Sequence, residues 1–411
     1  MANDSIKLKC GKKLPFPSLF TELRFKTEAE MLREMEVRYS QSQTQNGIDQ
    51  LDGIIASIKD WPDISKYIFR QESYLSPVPK YKLTDRVIII DPSLYLLFSA
   101  ADFDKLSLIN TLTTSDEMYA VVKNISENQS PRKKIDQNIE LLYPLLDTRI
   151  IRNLLEAQIK NRGDIIVSPS IPITSLFRIK EQIKKCREMN RISRILFDTV
   201  FSGVKDEKDL MNVLSIRLST IQPEYTDSLK DILLANNPDQ IGIRIMGLDA
   251  ENTSQIWSLL TFLKDLSKEN KPIYVFNVRE FGYVTLCYGV NATSTPISAD
   301  PYFVRSISDK PIPRRGSYYH PMDMTNDTYN RLLEKTRSNK YLLPCHCEIC
   351  SRYNKILQIK ESEWNEFRRI HFILVKNMEI KELREVKVPL MTALRDKFAR
   401  SEQTQWLPYL D

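Results

Sequence analysis

Short apolar strands alternate with amphipathic helices over most of this chain, and this alternation constrains the fold more than any other feature. Residues 87–90 and 165–167 are continuous runs of isoleucine and valine, which are typical of strands buried on both faces of a parallel sheet. Further strands are predicted at residues 194–197, 240–246, 272–276 and 290–294. Helices are predicted between the strands, at residues 99–126, 136–161, 173–189, 207–217, 225–235, 254–268 and 283–288.

This order of strands and helices implies parallel strands joined by right-handed crossovers. A closed (β/α)8 barrel and an open doubly wound sheet are both built in this way. No G-x-G-x-x-G sequence follows a predicted strand, so nothing marks the dinucleotide-binding point of an open sheet. We therefore predict an α/β fold, a (β/α)8 barrel of the TIM type. Cys345, Cys347, Cys350 and His371 are residue types that bind zinc, so the prediction includes an embedded C-terminal zinc-binding segment.

The chain of 411 residues is long enough for one barrel domain with extensions. Two helices, at residues 28–39 and 48–59, are predicted before the barrel. The predicted divisions are an N-terminal helical and irregular extension at residues 1–80, the barrel at 81–310, a zinc-binding segment packed on the barrel at 311–386, and a C-terminal helix or tail at 387–411.

Composition indicates a globular protein of a reducing compartment. The hydrophobic fraction is 42% and the charged fraction is 27%, which excludes the disordered and fibrous classes. Cys10, Cys186 and Cys287 are scattered without the spacing of a disulfide framework. The N-terminus has no apolar signal region, and no apolar run approaches the length of a bilayer span. We expect a cytoplasmic protein that does not bind membranes.

The net charge of +6 favours polyanionic partners only mildly. Neither a G-x-x-x-x-G-K-[ST] loop nor a dinucleotide fingerprint occurs, which argues against nucleotide-dependent phosphoryl transfer and dinucleotide redox chemistry. Residues 310–320 mix arginine with tyrosine. Such a mixture occurs in single-stranded nucleic-acid sites and in ordinary solvated loops.

A cluster of three cysteines and one distant histidine predicts a metal site. Cys345, Cys347 and Cys350 form a C-x-C-x-x-C knuckle, and His371 follows 21 residues after the last cysteine. Zinc prefers four tetrahedral nitrogen and sulfur ligands, and a site closed in this way is structural. His346, which lies between two of the cysteines, is the competing fourth ligand. Reactive or disulfide-forming thiols are the other alternative, and the lack of a secretory signal argues against it.

The helix predicted after the knuckle places His371 on its inward face. Trp364, Phe367, Ile370, Leu374 and their neighbours recur at spacings of three and four residues, which is the period of a buried helical face. A lone inward histidine is usually a hydrogen-bonded core residue. Three thiols just upstream favour a metal ligand instead.

Residues that directly follow barrel strands line the active face of such a fold. Two of them, Asp91 and Asp198, suit chemistry in which one carboxylate attacks and the other moves a proton. Each could equally cap the helix that follows. The other residues predicted at this face, as substrate-binding positions, are Ser168, Gly247, Leu248, Asp249 and Asn277.

The metal cluster carries a resemblance to a known family. Residues 342–353, Leu-Leu-Pro-Cys-His-Cys-Glu-Ile-Cys-Ser-Arg-Tyr, continue to Ile370-His371 and Asn377, and this arrangement resembles the zinc segment of the tRNA-guanine transglycosylases. Residues 316–319 and the helix at 329–337 resemble the lead-in to that segment. Residues 274–291 are similar to the last barrel strands of the family, and Gly247-Leu248 is similar to its base-binding loop.

The resemblance implies a zinc-bearing (β/α)8 barrel that exchanges guanine in a polynucleotide for a free 7-deazaguanine base. In such an enzyme an aspartate attacks the ribose C1′ atom and forms a covalent intermediate, and a second aspartate handles the proton. Asp91-Pro92-Ser93 is the counterpart of the proton-handling motif. The family nucleophile falls on Ser294, so that Asp198 or Asp300 has taken over the attack, the correspondence slips locally, or the chain does not catalyse.

Two functions of different classes follow. The first is a divergent transglycosylase acting on tRNA, or on DNA as in the DpdA-like branch of the family. It would extrude the target nucleotide from its stack and carry Zn²⁺. The second is a catalytically inactive zinc-stabilised barrel that binds nucleic acid or a partner subunit, either a homologous protein or a second copy of the chain.

Overall fold

The computed structural model of the chain describes residues 5–23, 26–40, 52–58, 60–69, 83–92, 146–249, 251–276, 278–297, 318–360 and 362–411. A hairpin of two short antiparallel strands, β1 (Ser5–Lys7) and β2 (Lys13–Pro15), comes first. The parallel strands that follow are β3 (Ser18–Leu23), β4 (Gly53–Ser57), β5 (Val87–Asp91), β6 (Ile165–Val167), β7 (Pro172–Ile173), β8 (Asp209–Arg217), β9 (Gln240–Met246), β10 (Ile273–Phe276) and β11 (Ala292–Pro296).

Eight of these strands close into a parallel barrel, which confirms the predicted fold class. Their order is β3-β4-β5-β6-β8-β9-β10-β11, and β11 pairs with β3 to close the ring. The remaining strand, β7, pairs with the C-terminal half of β8.

Helices surround the barrel and form a C-terminal segment. They are α1 (Lys26–Ser40), α2 (Trp61–Ile68), α3 (Thr148–Lys160), α4 (Ile179–Thr199), α5 (Thr226–Leu234), α6 (Thr253–Leu266), α7 (Phe281–Leu286), α8 (Tyr329–Thr336), α9 (Glu348–Tyr353), α10 (Trp364–Glu385) and α11 (Leu390–Ala399). A second antiparallel hairpin, β12 (Tyr318–His320) and β13 (Thr325–Asp327), precedes α8. Short 3₁₀ helices span Leu83–Asp85, Ser202–Val204, Leu218–Thr220, Pro223–Tyr225, Ser267–Glu269, Arg337–Asn339, Ile356–Gln358 and Thr404–Tyr409.

Alternate residues of each strand face two separate apolar cores. One core fills the barrel and contains Phe20, Ile89, Val213 and Tyr274 among others. The other lies between the strands and the helices. Because side chains alternate across a strand, any residue two positions from a member of the inner core also faces the barrel interior.

The β1–β2 hairpin plugs the N-terminal end of the barrel. Leu8 and Leu14 belong to the inner core. The backbone N–H of Lys9 donates to Asp209 Oδ2 at 3.0 Å, and Lys12 Nζ lies 2.6 Å from Asp164 Oδ2. These two aspartates lie at the N-terminal ends of β8 and β6, so the hairpin closes that end of the barrel. The opposite end, where the strands finish, is lined by polar side chains.

Two predicted elements between β6 and β9 are wrong. Residues 194–197, predicted as a strand, belong to α4, whose buried positions recur at helical spacing from Ile183 through Cys186 and Met189 to Phe197. Residues 207–217, predicted as a helix, contain the strand β8, which is buried at every position from Asp209 to Ile216. Short apolar runs carry too little periodicity to separate the two states.

The N-terminal division is also wrong. Residues 48–59 were predicted as a helix of an extension, but Gly53–Ser57 is the barrel strand β4, and β3 also lies before residue 81. The barrel therefore begins at Ser18. Helix α1 matches the first predicted helix, and the helix predicted at residues 99–126 lies outside the described residues.

Helix α10 attaches the C-terminal segment to the start of the barrel. It packs against α1 and β3. Arg384 near its end donates from Nε to the carbonyl of Pro17 at 2.9 Å and forms an ion pair with the buried carboxylate of Asp52. The segment is thus packed on the barrel.

Candidate metal centre and barrel mouth

Four potential metal ligands converge between α9 and α10. Cys345 and Cys347 precede α9, Cys350 lies within it, and His371 lies on α10. The cysteine sulfur atoms and the histidine ring nitrogen all lie within 4.8 Å of one another, and all four residues are buried. Tetrahedral ligands about 2.0–2.3 Å from one ion lie about 3.5–3.8 Å apart. This buried Cys3His group could therefore hold a single metal ion.

The hydrogen bonds of His371 orient its ring for metal binding. Its Nε2 atom lies 2.7 Å from the carbonyl oxygen of Tyr319, so Nε2 carries the proton that is donated there. The Nδ1 atom then faces the sulfur atoms of Cys347 at 3.3 Å and Cys350 at 3.2 Å. A second hydrogen bond of this kind typically sets the tautomer of a metal-bound histidine.

Aromatic packing holds the imidazole in place. The ring of Tyr318 stacks on His371 with centroids 4.1 Å apart and planes inclined by 10°. The Tyr318 hydroxyl lies 3.5 Å from Cys350 Sγ, and Phe367 lies parallel to His371 with a centroid separation of 6.2 Å. His371 is 0% exposed.

The electrostatics of the cluster favour a thiolate at Cys345, whereas hydrogen bonds to the other two cysteines, together with burial, raise the pKa of Cys350. Burial lowers the pKa of His371, but its contacts with Cys345 and Cys347 outweigh this and raise the pKa to about 9. The pKa of Cys345 lies well below the usual thiol value because the other two thiols and the imidazole donate to its sulfur. Thiolates are the form that binds metal. His346, the competing ligand, is exposed and lies outside the cluster.

A buried charged network joins the metal cluster to the barrel. Glu379 on α10 accepts hydrogen bonds from the hydroxyls of Tyr283 at 2.8 Å and Tyr319 at 3.0 Å. Lys376 Nζ lies 3.0 Å from the same carboxylate and 3.9 Å from the centre of the Tyr319 ring. Tyr319 also accepts the hydrogen bond from His371. Tyr283 lies on α7, so the network couples the barrel helix directly to the ligand helix.

A buried ion pair crosses the C-terminal mouth of the barrel. Asp91 ends β5 and faces inward, two positions after Ile89. Its carboxylate forms an ion pair with Arg244 of β9, and both side chains are less than 10% exposed. Arg244 also donates to Ser215 Oγ at 3.3 Å and lies over the Phe276 ring at 5.7 Å. Asp91 therefore reaches the mouth, as the sequence predicted.

Asp198 does not reach the mouth. It lies near the end of α4 and pairs with Arg194 at 2.9 Å, one turn away. Arg194 also lies 3.5 Å from Asp239, which accepts from the backbone N–H of Leu210 at the start of β8. Asp198 thus belongs to the N-terminal side of the barrel, opposite Asp91. Its prediction as a catalytic partner is wrong because it rested on the strand assigned to residues 194–197.

Ser168 likewise does not line the mouth. It follows Val167 of the inner core and therefore points outward, toward α4. Its hydroxyl bonds to Asn190 Oδ1 at 2.7 Å and Ser193 Oγ at 2.9 Å, and its exposed fraction is 0%. These bonds join β6 to α4 and leave no group for a substrate.

The predicted loop after β9 lies at the C-terminal end of the barrel. Gly247 has a φ of +66°, a conformation that side-chain-bearing residues rarely adopt, and it is exposed. Leu248 is half-buried against the outer core, and Asp249 is exposed and accepts from the backbone N–H of Glu251 at 3.2 Å. Asn277 and Asp300 lie outside the described residues.

Sequence reasoning missed several polar residues inside the mouth. Glu22 of β3 is two positions from Phe20 of the inner core, and its carboxylate accepts a hydrogen bond from the hydroxyl of Ser294 on β11. Arg217 ends β8, and its Nε atom is buried without a hydrogen-bond partner among the described residues. A polar residue every second position in an otherwise apolar strand was the available signal.

Comparison with known proteins assigns no family to this chain. No protein-family model matches it, and no curated protein matches it. In the part of the chain that the structure describes, no helix combines the length and apolar character needed to cross a bilayer.

Proposed function

We propose that this chain is a divergent transglycosylase that exchanges guanine in a nucleic acid for a free 7-deazaguanine base. The observation that carries the proposal is the position of Asp91, a buried carboxylate at the C-terminal end of β5 that faces the barrel interior and is aligned by Arg244. Catalytic residues of (β/α)8 barrels lie at this end of the strands. The resemblance of the Cys3His segment to the tRNA-guanine transglycosylases supplies the reaction.

Zinc is the proposed occupant of the Cys3His cluster. Three sulfur ligands and one imidazole nitrogen in a closed, buried site suit a structural Zn²⁺ ion. None of the six cysteines of the chain forms a disulfide, which is the state expected in the reducing cytoplasm, where we place the protein. The ion would hold α9 against α10 and so keep the C-terminal segment on the barrel.

Two features at the rim of the mouth support a nucleic-acid substrate. The loop between β7 and α4 exposes Phe177 by 63% and Leu176 by 43%, and the guanidinium of Arg178 lies over the Phe177 ring, 5.4 Å from its centre. Exposed aromatic rings beside cations bind unstacked bases. The buried Nε atom of Arg217 is a donor available to a ligand inside the mouth.

In the proposed reaction, Asp91 manages the proton of the exchanging bases. A carboxylate at this end of the barrel can act as a proton acceptor. It would take the N–H proton of the incoming base while that base attacks the ribose C1′ atom. Because C1′ is inaccessible in a stacked strand, the target nucleotide must first leave the stack and enter the mouth.

One observation favours the alternative, a catalytically inactive barrel that serves as a nucleic-acid-binding or partner subunit. The Asp91–Arg244 ion pair spans the mouth, and a purely structural ion pair would hold the strands together in the same way. Ser294, at the position expected for the nucleophile, carries a hydroxyl in place of a carboxylate. A partner could then be a homologous catalytic subunit or a second copy of this chain.

An exchange assay separates the two functions. Purified protein is incubated with radiolabelled guanine-containing duplex DNA or with labelled tRNA, each with an unlabelled 7-deazaguanine base. Release of labelled guanine in either arm supports the transglycosylase and identifies the polymer. Binding to both polymers with no release in either would favour the inactive subunit.

A further inference from the structure

We propose that Glu22 is the nucleophile of this site, so that the attacking carboxylate lies on β3 and Ser294 only positions it. This inference rests on the proposed transglycosylase function and goes beyond it by naming a residue. Glu22 and Asp91 are the carboxylates at inward-facing strand positions in the C-terminal half of the described barrel.

The position of Glu22 suits an attack inside the mouth. It lies one residue before the end of β3 and faces the interior two positions above Phe20. Its side chain is half-buried, which leaves it reachable from the mouth. One strand, β4, separates β3 from β5, so Glu22 and Asp91 stand on strands about 10 Å apart, since neighbouring strands are about 4.8 Å apart.

Ser294 is placed to orient Glu22. β11 pairs with β3 in parallel, with Ser294 opposite Phe20 and Pro296 opposite Glu22. From this diagonal position the Ser294 hydroxyl donates to Glu22 Oε1, and Ser294 itself is 1% exposed. The hydroxyl therefore helps to fix the orientation of the carboxylate. Ser294 occupies the position where the resemblance expects an aspartate. It lies on the strand next to that of Glu22 and donates its hydroxyl proton to the Glu22 carboxylate.

The electron and proton balance needs no further reactant. A Glu22 oxygen forms a bond to C1′ while the C1′–N bond to guanine breaks, and guanine keeps the bonding pair and takes a proton from water. In the second half, the incoming base attacks C1′, its N–H proton passes to Asp91, and the bond from C1′ to Glu22 breaks. Glu22 returns to a carboxylate, and Asp91 gives its proton to solvent.

Trypsin peptides distinguish the candidate nucleophiles after trapping. Protein is mixed with guanine-containing duplex DNA or tRNA in the absence of an incoming base and then denatured in acid. The mixture is digested with nuclease and trypsin, and mass spectrometry identifies the peptide that carries a nucleotide. Residues 14–24 contain Glu22 as their only acidic residue, residues 87–105 contain Asp91, and residues 280–305 contain Ser294 and Asp300. We expect a nucleotide adduct on residues 14–24. An adduct on either other peptide overturns the assignment.

Substitution provides the second test. Glu22→Gln keeps an oxygen that accepts from Ser294, so we expect an unchanged thermal midpoint and nucleic-acid affinity, no adduct, and at least about 10³-fold slower exchange. Ser294→Ala should slow exchange only about tenfold and leave the adduct on residues 14–24, because it removes one orienting hydrogen bond. If Glu22→Gln exchanges bases at the wild-type rate, Glu22 is not the nucleophile, but the proposed function is unaffected. No exchange by the wild-type protein on either polymer would refute the proposed function as well.

Discussion

Arg244 of β9 and Asp91 of β5 form a buried ion pair across the C-terminal mouth of the barrel, although 153 positions separate them in the chain. The pair points the Asp91 carboxylate into the barrel, and each of the two buried charges has the other as its partner. It is therefore both a structural link between opposite strands and the centre of the proposed active site. These two roles predict different responses to substitution.

Replacing Asp91 should slow base exchange strongly, whereas the same change at Asp198 should not. We expect Asp91→Asn to slow exchange by at least about 10²-fold, since it removes the proton acceptor. Asp198→Asn breaks only a half-exposed ion pair at the other end of the barrel and should change stability by less than about 1 kcal/mol. Exchange rates and urea denaturation of both variants provide the measurement. Equal loss of exchange in both would contradict the geometry.

The metal content should depend on His371 and be independent of His346. We expect about one zinc ion per chain in the purified protein, loss of bound metal in His371→Ala, and full retention in His346→Ala, because only His371 belongs to the buried cluster. Chelation should lower the thermal midpoint, since structural metal binding is coupled to folding. Elemental analysis and thermal unfolding with and without chelator test this. A midpoint unaffected by chelator would count against the site.

Gly242 should be intolerant of a methyl group, and Gly203 should accept one. A Cβ atom at Gly242 would lie 2.7 Å from a ring carbon of Phe276, 2.8 Å from Val213 and 2.9 Å from Met211, all inside the barrel, whereas nothing lies within 4 Å of a Cβ atom at Gly203. We expect Gly242→Ala to lower the free energy of unfolding by about 1–3 kcal/mol. Gly203→Ala should be neutral or slightly stabilising. Urea denaturation measures the free energy of unfolding of both variants. Equal changes would show that steric crowding around position 242 does not cause the loss of stability.

Glu379 should stabilise the fold at neutral pH but not in strong acid. Burial raises its pKa, but the charges of Lys376 and Lys397 outweigh burial and hold the pKa below the usual 4.5. A carboxyl with a lowered folded-state pKa contributes stability above its unfolded-state pKa and loses it as the pH falls through the folded-state value. We expect Glu379→Gln to cost about 3 kcal/mol at pH 7, because Lys376 stays buried.

The cost of Glu379→Gln should shrink progressively below about pH 4.5, where the wild-type carboxyl also becomes protonated. Glu382→Gln is the control on the same helix, since the Glu382 side chain is 66% exposed and a surface ion pair contributes little. Denaturation curves at a series of pH values compare both variants with the wild type. A cost that stayed constant down to pH 2 would show that charge is not the cause.

Local sequence determined the metal cluster and the fold class. The spacing of Cys345, Cys347 and Cys350 brings three thiols together within a few residues, and the helical period places His371 on the inward face. The runs at residues 87–90 and 165–167 are apolar on both faces, which only a covered parallel sheet satisfies. These features depend on residues that are close together in the chain, so they can be recognised from the sequence.

The tertiary structure alone decided which polar residues meet. Asp198 and Ser168 were assigned to the mouth from short apolar runs, and the fold turned one toward the N-terminal end and the other toward α4. Glu22 reaches Ser294, and Asp91 reaches Arg244, only because the strands close into a ring and set the inward face of each one. A one-residue shift in a strand reverses its faces. The register that fixes them comes from pairing between distant strands, which no local pattern encodes.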